Sequence, residues 1–274
     1  MRSFLETYDL ASGEVRVVLA TERLIEAPNW DAARGDLIVN SDGQLHRVGI
    51  ETGEMVHVET RGLTHLNNDH GIAPDGSCLI VSDNIPGRGS VMYFLPLDGG
   101  APERINDIPG AYWHGWSPDG GTLAFCGKRD GRFDVYTMPR EGGPEVRLTD
   151  AGHNDGPDFS ADGDWIWYNS DRTGHAQIWK MRLDGSDDQQ VTDDAFVNWF
   201  PHPSPDGRHV LYLRYPEGTL QHPRDRDVGL VLMSPDGGDP REVRRFNGGQ
   251  GSLNVPCWAP DGAAFAYVRY GQAA

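Results

Sequence analysis

The stretch Ser117-Pro118-Asp119-Gly120 decides the fold, because close copies of it recur along the chain. Proline presets φ, aspartate bonds its own backbone and glycine accepts a positive φ, so the tetrapeptide predicts a tight hairpin turn. The copies are Ala73-Pro74-Asp75-Gly76, Ser160-Ala161-Asp162-Gly163, Ser204-Pro205-Asp206-Gly207 and Ala259-Pro260-Asp261-Gly262, with a degenerate sixth at Pro28-Asn29-Trp30-Asp31. Their Asp-Gly pairs begin at 75, 119, 162, 206 and 261, so the repeat is 43 to 44 residues long with one longer step. A period of this length indicates a repeat architecture.

Each repeat is predicted to contain four short strands. In the repeat around Ser117, apolar and β-branched residues predict strands at 113–117, 123–126, 133–138 and 145–148, with a second turn at Glu141-Gly142-Gly143. Four strands at this period are typical of a β-propeller blade. The sequence therefore predicts an all-β, six-bladed propeller with four-stranded blades that occupies residues 1–274 as one domain.

The last repeat lacks two strands, and the start of the chain supplies them. After the apolar run 264–268 the sequence ends at residue 274, whereas strand-like runs occur at 4–9 and 15–19 around the turn Ala11-Ser12-Gly13. Pairing the first strands with the last removes the open edge that would template aggregation. We expect residues 1–20 to complete blade six and close the ring.

The repeats resemble the C-terminal propeller of the TolB family, with WD40-like PD40 repeats. The resemblance rests on the pattern Pro-x-aromatic-Ser-x-Asp-Gly at 157–163, on related stretches at 116–120 and 256–262, and on Leu148-Thr149 and Val191-Thr192. It extends over the whole chain and implies a stand-alone propeller without the N-terminal α/β domain of TolB. It implies no activity, because propellers carry many functions.

Composition excludes some partners. Lys and Arg number 24 against 41 Asp and Glu, a formal charge of −17 at pH 7, which repels phosphate backbones and anionic membranes. We expect neither nucleic acid nor membrane as a partner, and the start of the sequence resembles no signal peptide. Three cysteines without CxxC spacing favour free thiols and a cytoplasmic location.

Candidate site residues lie at corresponding positions in successive repeats. The links between strands two and three, and between one blade and the next, lie opposite the glycine turns and converge on the propeller axis, where the sequence stops repeating. We predict catalytic roles there for His70, His114 and Asp155. Predicted ligand-binding residues at the same level are Asp69, Trp113, Asn154, Trp199, His202 and Asn254, joined by the link arginines Arg129, Arg172 and Arg214.

Two interpretations of these polar residues stay open. In one, His70, His114, His153 and Asp155 hold Zn²⁺, Mn²⁺ or Fe²⁺, or transfer protons as histidine–carboxylate pairs. In the other, they satisfy loop backbone groups around a wet channel. Oligogalacturonate lyases, propellers of the same broad group that hold a metal through histidines on this face, resemble the chain enough to imply a location but not a reaction.

The functional prediction is a propeller that binds a small polar ligand in its axial funnel. The predicted ligand is a saccharide, such as an oligosaccharide. Metal-assisted or His/Asp acid–base chemistry of a lyase or hydrolase would take place there, and the sequence leaves open whether the site is catalytic. The alternative is a non-catalytic scaffold for a protein partner. The long insertion at 215–226, with Gln221 and His222, indicates either a lid or a surface excursion. The absence of a Gly-x-Ser-x-Gly motif excludes a prolyl-peptidase-type hydrolase.

Overall fold

In the computed structural model, which describes residues 2–271, the repeated tetrapeptide forms the predicted hairpin turn. The Gly120 N–H donates to the Ser117 carbonyl at 2.8 Å, and Gly120 has a φ of +69°. The Asp119 carboxylate accepts from the Ser117 hydroxyl at 2.6 Å and from the Gly121 N–H at 3.0 Å. These bonds close the turn and bring the strands on either side into antiparallel pairing.

The strands form six sheets, each of which is one blade. In chain order, β1 (Arg2–Asp9) and β2 (Val15–Thr21) belong to blade six, and β3 (Glu26–Asp31), β4 (Asp36–Ser41), β5 (Gln44–Gly49) and β6 (Met55–His57) form blade one. Blade two contains β7 (Leu66–Ile72), β8 (Cys78–Ile85), β9 (Gly89–Pro96) and β10 (Glu103–Arg104), and blade three contains β11 (Ala111–Trp116), β12 (Thr122–Arg129), β13 (Arg132–Pro139) and β14 (Val146–Arg147). Blade four contains β15 (Asn154–Phe159), β16 (Trp165–Ser170), β17 (Gln177–Arg182) and β18 (Gln189–Gln190). Blade five contains β19 (Val197–Pro203), β20 (Val210–Tyr215), β21 (Arg226–Met233) and β22 (Arg241–Gly248), and β23 (Ala264–Gly271) lies in blade six.

Helical structure is nearly absent from the described residues. A 3₁₀ turn at Gln250–Ser252 follows β22, and no helix within residues 2–271 is long and apolar enough to cross a membrane.

The ring closes as the sequence predicts. Strand β1 lies between β2 and β23 and pairs with β23 from Arg2 opposite Gly271 to Asp9 opposite Ala264. An isolated bridge between Trp258 and Phe265 marks the innermost chain of this blade. The N-terminal strands are therefore the two outer strands of blade six, and this blade has no unpaired edge where β1 meets β23.

The hydrophobic core lies between neighbouring blades. One buried cluster, for example, joins Ala124 and Val135 of blade three to Ile166 and Tyr168 of blade four. Packing between sheets uses both faces of each blade, so the axis is lined by the innermost strands alone.

Five inner strands contain a bulge where they pair with the second strand of their blade, namely β3, β7, β11, β15 and β19. At these bulges Ala27 and Phe200 adopt left-handed φ values of +56° and +54°, and Gly156 has a φ of +60°. A bulge inserts a residue and re-aims the side chains beside it, and strained non-glycine residues of this kind concentrate at functional sites. The bulges coincide with the level at which the sequence stops repeating.

Candidate functional site

A cavity of about 260 Å³ opens at the axis on the face opposite the glycine turns. Its described lining consists of Asp69, Tyr112, His114, Cys126, Phe133, His153, Asp155, Gln221, His222 and Gln250. The residues come from the inner strands of blades two, three and four, from β12 and β13 of blade three, from the link before β15, from the blade-five insertion and from the 3₁₀ turn. The predicted convergence of these links on the axis is present in the structure.

His114 lies at the centre of the charged groups. Its Nε2 is 3.1 Å from Asp155 Oδ1 and 3.9 Å from Asp69 Oδ1, and all three side chains are buried. Asn254 of blade six donates to Asp69 Oδ1 at 2.7 Å. Four blades therefore contribute to one cluster of polar side chains, in which Asp69, His114 and Asp155 lie on bulged inner strands.

Electrostatics favour a charged His114–Asp155 pair. Burial alone would lower the pKa of His114, but the hydrogen bond and charge of Asp155 and the charge of Asp69 outweigh it, so the pKa lies above its usual value. Burial also opposes ionisation of Asp155, yet His114 and the neighbouring imidazoles hold the pKa of this carboxyl well below its usual range. Both shifts favour an imidazolium beside a carboxylate.

Asp69 behaves differently from Asp155. Burial raises the pKa of Asp69 to about 6, and the attraction of His114 and the bond from Asn254 offset this only in part. Two carboxyls that face one imidazole thus differ in their readiness to accept a proton, a separation typical of acid–base sites.

The insertion between β20 and β21 brings a second imidazole to the cavity. His222 Nε2 is 3.9 Å from Asp155 Oδ2, and its ring packs edge-on against Trp199 with centroids 4.6 Å apart. Burial lowers the pKa of His222. The insertion is fixed by a bond from Asn247 Nδ2 to Asp225 Oδ1 at 2.9 Å. The sequence left open whether this insertion is a lid or a surface excursion, and it did not include His222 among the predicted site residues.

The flat walls of the cavity are Tyr112 and Phe133. Phe133 stacks on His153 with centroids 4.6 Å apart and an interplanar angle of 7°. The third wall is Cys126, whose S–H donates to the Asn154 carbonyl at 3.3 Å and whose pKa is raised well above the usual value by burial. A neutral, hydrogen-bonded thiol of this kind is inert.

The two tryptophans predicted to bind the ligand, Trp113 and Trp199, do not line this cavity. Trp113 is 1% exposed, and a Cβ on Gly71 would lie 2.1 Å from its ring, so it packs in the core between blades two and three. Trp199 is also buried and contacts the cavity only through His222 and His153. The physical reason is alternation along a strand: Tyr112 and His114 face the cavity, and Trp113 between them faces away.

His70 also lies outside the cavity, apart from the other residues predicted to be catalytic or to bind a metal. Its neighbour Asp69 takes the cavity position, while the buried His70 ring lies near the backbone of Ala27 and Ile38 in blade one. Burial lowers the pKa of His70 to about 4, so the ring is neutral.

The predicted metal ligands do not form one group. His114, His153 and Asp155 line the cavity without His70, and within residues 2–271 no set of three or more His, Cys, Asp or Glu side chains has metal-binding geometry. The donor set present therefore does not fit a metal centre.

The three link arginines bind partners within their own blades or at blade borders, away from the cavity. Arg129 makes a bidentate pair with Glu145, Arg172 pairs with Asp188 at 2.6 Å, and Arg214 pairs with Asp194 at 2.9 Å. The structure thus places the three arginines, which were predicted to bind the ligand, in carboxylate pairs of this kind.

The remaining predicted residues have structural partners. The buried Asn154 donates to Asp134 Oδ1 at 3.1 Å and to the Ala151 carbonyl at 3.0 Å. The buried His202 bonds Asp158 through Nδ1 at 2.9 Å. Of the predicted ligand-binding set, Asp69 lines the cavity and Asn254 supports it from behind.

Known proteins resemble this chain along almost its whole length. The family model of the TolB beta propeller domain matches residues 90–225. An uncharacterized protein of Agrobacterium fabrum is 46% identical over 272 residues, which are 98% of this chain and 93% of that protein. A solved structure from Agrobacterium tumefaciens, provisionally named TolB, matches with a TM-score of 0.97 at 46% identity and covers 100% of this chain and 99% of that one. The chain belongs to the TolB-like β-propeller family.

More distant structures share only the fold with this TolB-like chain. An oligogalacturonate lyase from Vibrio parahaemolyticus has a TM-score of 0.58 at 15% identity, over 94% of this chain and 75% of its own. At this identity the likeness establishes a common architecture and transfers no ligand or reaction.

Proposed function

We propose that the cavity at His114 binds a small, uncharged saccharide. The described lining offers carboxylate oxygens and the side-chain amides of Gln221 and Gln250 as hydroxyl partners, together with the flat rings of Tyr112 and Phe133. A few polar groups set in apolar walls are typical of small-ligand sites. None of the described lining residues is lysine or arginine, and two carboxyls face inward, so an anionic sugar would be repelled.

We further propose that the His114 imidazolium donates a proton to an oxygen of the bound sugar. The observation that carries this proposal is the position of His114 Nε2, 3.1 Å from Asp155 and 3.9 Å from Asp69 inside the cavity. Asp155 would remain ionised and orient the imidazole, and Asp69 would be the second group able to take up the proton near neutral pH. Positioned proton transfer accelerates reactions by roughly 10²- to 10⁴-fold, and it suits a lyase or hydrolase.

Calorimetric titration tests the ligand class. Neutral mono- and disaccharides, with galacturonate as the anionic counterpart of galactose, should be titrated into the purified chain at pH 7. We expect binding of a neutral sugar, weaker binding by His114→Gln and unchanged binding by His65→Gln, which alters an exposed imidazole outside the cavity. Tighter binding of galacturonate than of galactose would contradict the charge argument, and silence from every sugar would contradict the saccharide class.

A protein partner is the second candidate function, and a specific observation favours it. Three large hydrophobic side chains are exposed in links on the cavity face: Ile108 (50%), Phe196 (38%) and Leu220 (85%). Exposed apolar groups that share a face indicate an interaction surface when they form one patch. A photo-crosslinker at position 220 should then capture one defined protein, and a variant with serine at 108 and 196 should lose it while sugar binding is unchanged.

We also propose a cytoplasmic location. Cys78, Cys126 and Cys257 are all free thiols, and two of them are buried. Free thiols are typical of reducing compartments.

A further inference from the structure

A second cavity of about 380 Å³ lies on the glycine-turn face of the propeller, opposite the cavity at His114. Prolines of four hairpin turns line it together with Trp30, Trp116 and Trp258. Trp30 is half-buried, whereas Trp116 and Trp258 are 7% and 6% exposed. This end of the axis is therefore walled by indole and pyrrolidine rings from several blades.

One carboxylate lies in this aromatic cavity. Asp158 is 7% exposed, receives the Phe159 N–H at 2.9 Å and pairs with His202 Nδ1 at 2.9 Å. Burial raises the pKa of Asp158, and His202 offsets this in part. No lysine or arginine is among the described residues that line the cavity. His202 is therefore the basic partner of Asp158, and the described residues of the cavity wall add no lysine or arginine to it.

Indole faces on this side of the molecule already accept cations. The Arg140 guanidinium lies 5.3 Å from the ring centroid of Trp116, and Lys180 lies 4.8 Å from that of the neighbouring Trp165. A cation over an aromatic face gains from the ring quadrupole, most of all with tryptophan. The net charge of −17 raises the local concentration of small cations further.

We propose that this second cavity binds an organic cation, namely an alkylammonium or quaternary ammonium group with apolar substituents. The ammonium charge is placed near Asp158, and its methyl or methylene groups contact the indole and proline rings. This site is separate from the saccharide site, because the two cavities share no lining residue. It needs neither the acid–base chemistry nor the sugar binding proposed above.

Calorimetry with choline chloride and its neutral carbon isostere 3,3-dimethylbutan-1-ol tests the charge requirement, at constant chloride and ionic strength. Choline should bind, and the isostere should bind at least about tenfold more weakly. Asp158→Asn and Trp30→Leu should each weaken choline about tenfold. Trp165→Leu, which alters an indole outside this cavity, and His114→Gln should leave choline binding unchanged.

Three outcomes would overturn the proposal: no heat with choline, equal affinities for choline and its isostere, or Asp158→Asn and Trp30→Leu variants that bind choline like the parent chain. If Asp158→Asn loses cooperative thermal melting through loss of the His202 contact, Trp30→Leu decides alone, because this half-buried indole is replaced without touching the buried pair. Loss of sugar binding in His114→Gln with retained choline binding separates this proposal from the function proposed above.

Discussion

Replacing Asp69 by asparagine should stabilise the protein. Burial raises the pKa of this carboxyl from its usual 3.8 to about 6, and that value already includes the attraction of His114 and the bond from Asn254. Each pKa unit corresponds to about 1.4 kcal/mol, so ionising Asp69 in the folded state costs about 3 kcal/mol relative to the unfolded chain. Asparagine retains an oxygen for Asn254 and removes the charge.

The sign and the pH window follow from linkage. Between pH 3.8 and about 6 the folded state holds a proton on Asp69 that the unfolded state has lost, so stability falls as pH rises through this window. The advantage of Asp69→Asn should therefore be small near pH 4, grow up to about pH 6 and stay constant above it. Urea unfolding at intervals from pH 4.5 to 8 measures the difference directly.

The control is Asp193→Asn, an exposed carboxylate outside the cavity. It removes the same unit of charge from a chain that carries −17, and it corrects for reduced self-repulsion. The reasoning would be refuted if Asp69→Asn were less stable than the parent at pH 8, or if its advantage did not vary with pH. Equal gains from both variants would assign the effect to net charge alone.

Three further predictions concern closure, core and lid. Deletion of residues 1–20 removes β1 and most of β2 and leaves β23 without its partner β1. The truncated chain should aggregate, which size-exclusion chromatography would detect. A soluble truncated chain that melts like the parent would contradict the closure. Trp113→Ala should lower the free energy of unfolding by about 3–5 kcal/mol, because the side chain is buried in the core; a loss below 1 kcal/mol would show that it is not. In Gly249→Ala the new Cβ would lie 2.5 Å from Arg224 Cα and 2.6 Å from the Pro223 carbonyl, so the insertion must move. Trypsin should then cleave after Arg224 faster than in the parent chain. An unchanged cleavage rate would show that the insertion does not pack against Gly249.

The fold was predictable because its information is local and repeated. A turn such as Ser117 to Gly120 is specified by four residues, and its spacing sets the size of each blade. The missing outer strands of the last repeat could be assigned to the start of the chain because a propeller must close. The blade size and the ring closure could therefore both be predicted from the repeats.

The sequence predicted which part of each blade forms the site, but not which side chains in that part line the cavity. Asp69 and His70 are adjacent, and only the first faces the cavity, because the bulge in β7 sets which side chain points to the axis. The bulge recurs in all five inner strands, but the repeat period does not show how many residues each bulge contains or which side chain it turns to the axis. The path of the insertion was beyond the sequence too, since the position of His222 depends on Trp199 and other contacts distant along the chain.

The pairing of the link arginines could have been read from the sequence. Arg129 and Arg172 each meet a carboxylate sixteen positions later, at Glu145 and Asp188. The same spacing in two successive blades indicates a structural pair that belongs to the repeat. A ligand-binding role is better sought in residues that break the repeat, as His114 and Asp155 do.

The choice between a wet channel and a working site depends on Asp69. A channel that needed only a partner for Asn254 would be served by an asparagine at position 69, which accepts the same hydrogen bond without a buried charge. The carboxyl instead faces His114 at 3.9 Å, with a pKa of about 6 that makes its proton exchangeable near neutrality. A group that lowers stability while gaining an exchangeable proton is expected where function opposes stability. The stability gain predicted for Asp69→Asn and the sugar-binding loss predicted for His114→Gln are therefore two measurements of one trade-off. If asparagine at 69 raised stability and left the affinity for every ligand intact, the proton of Asp69 would have no use in binding.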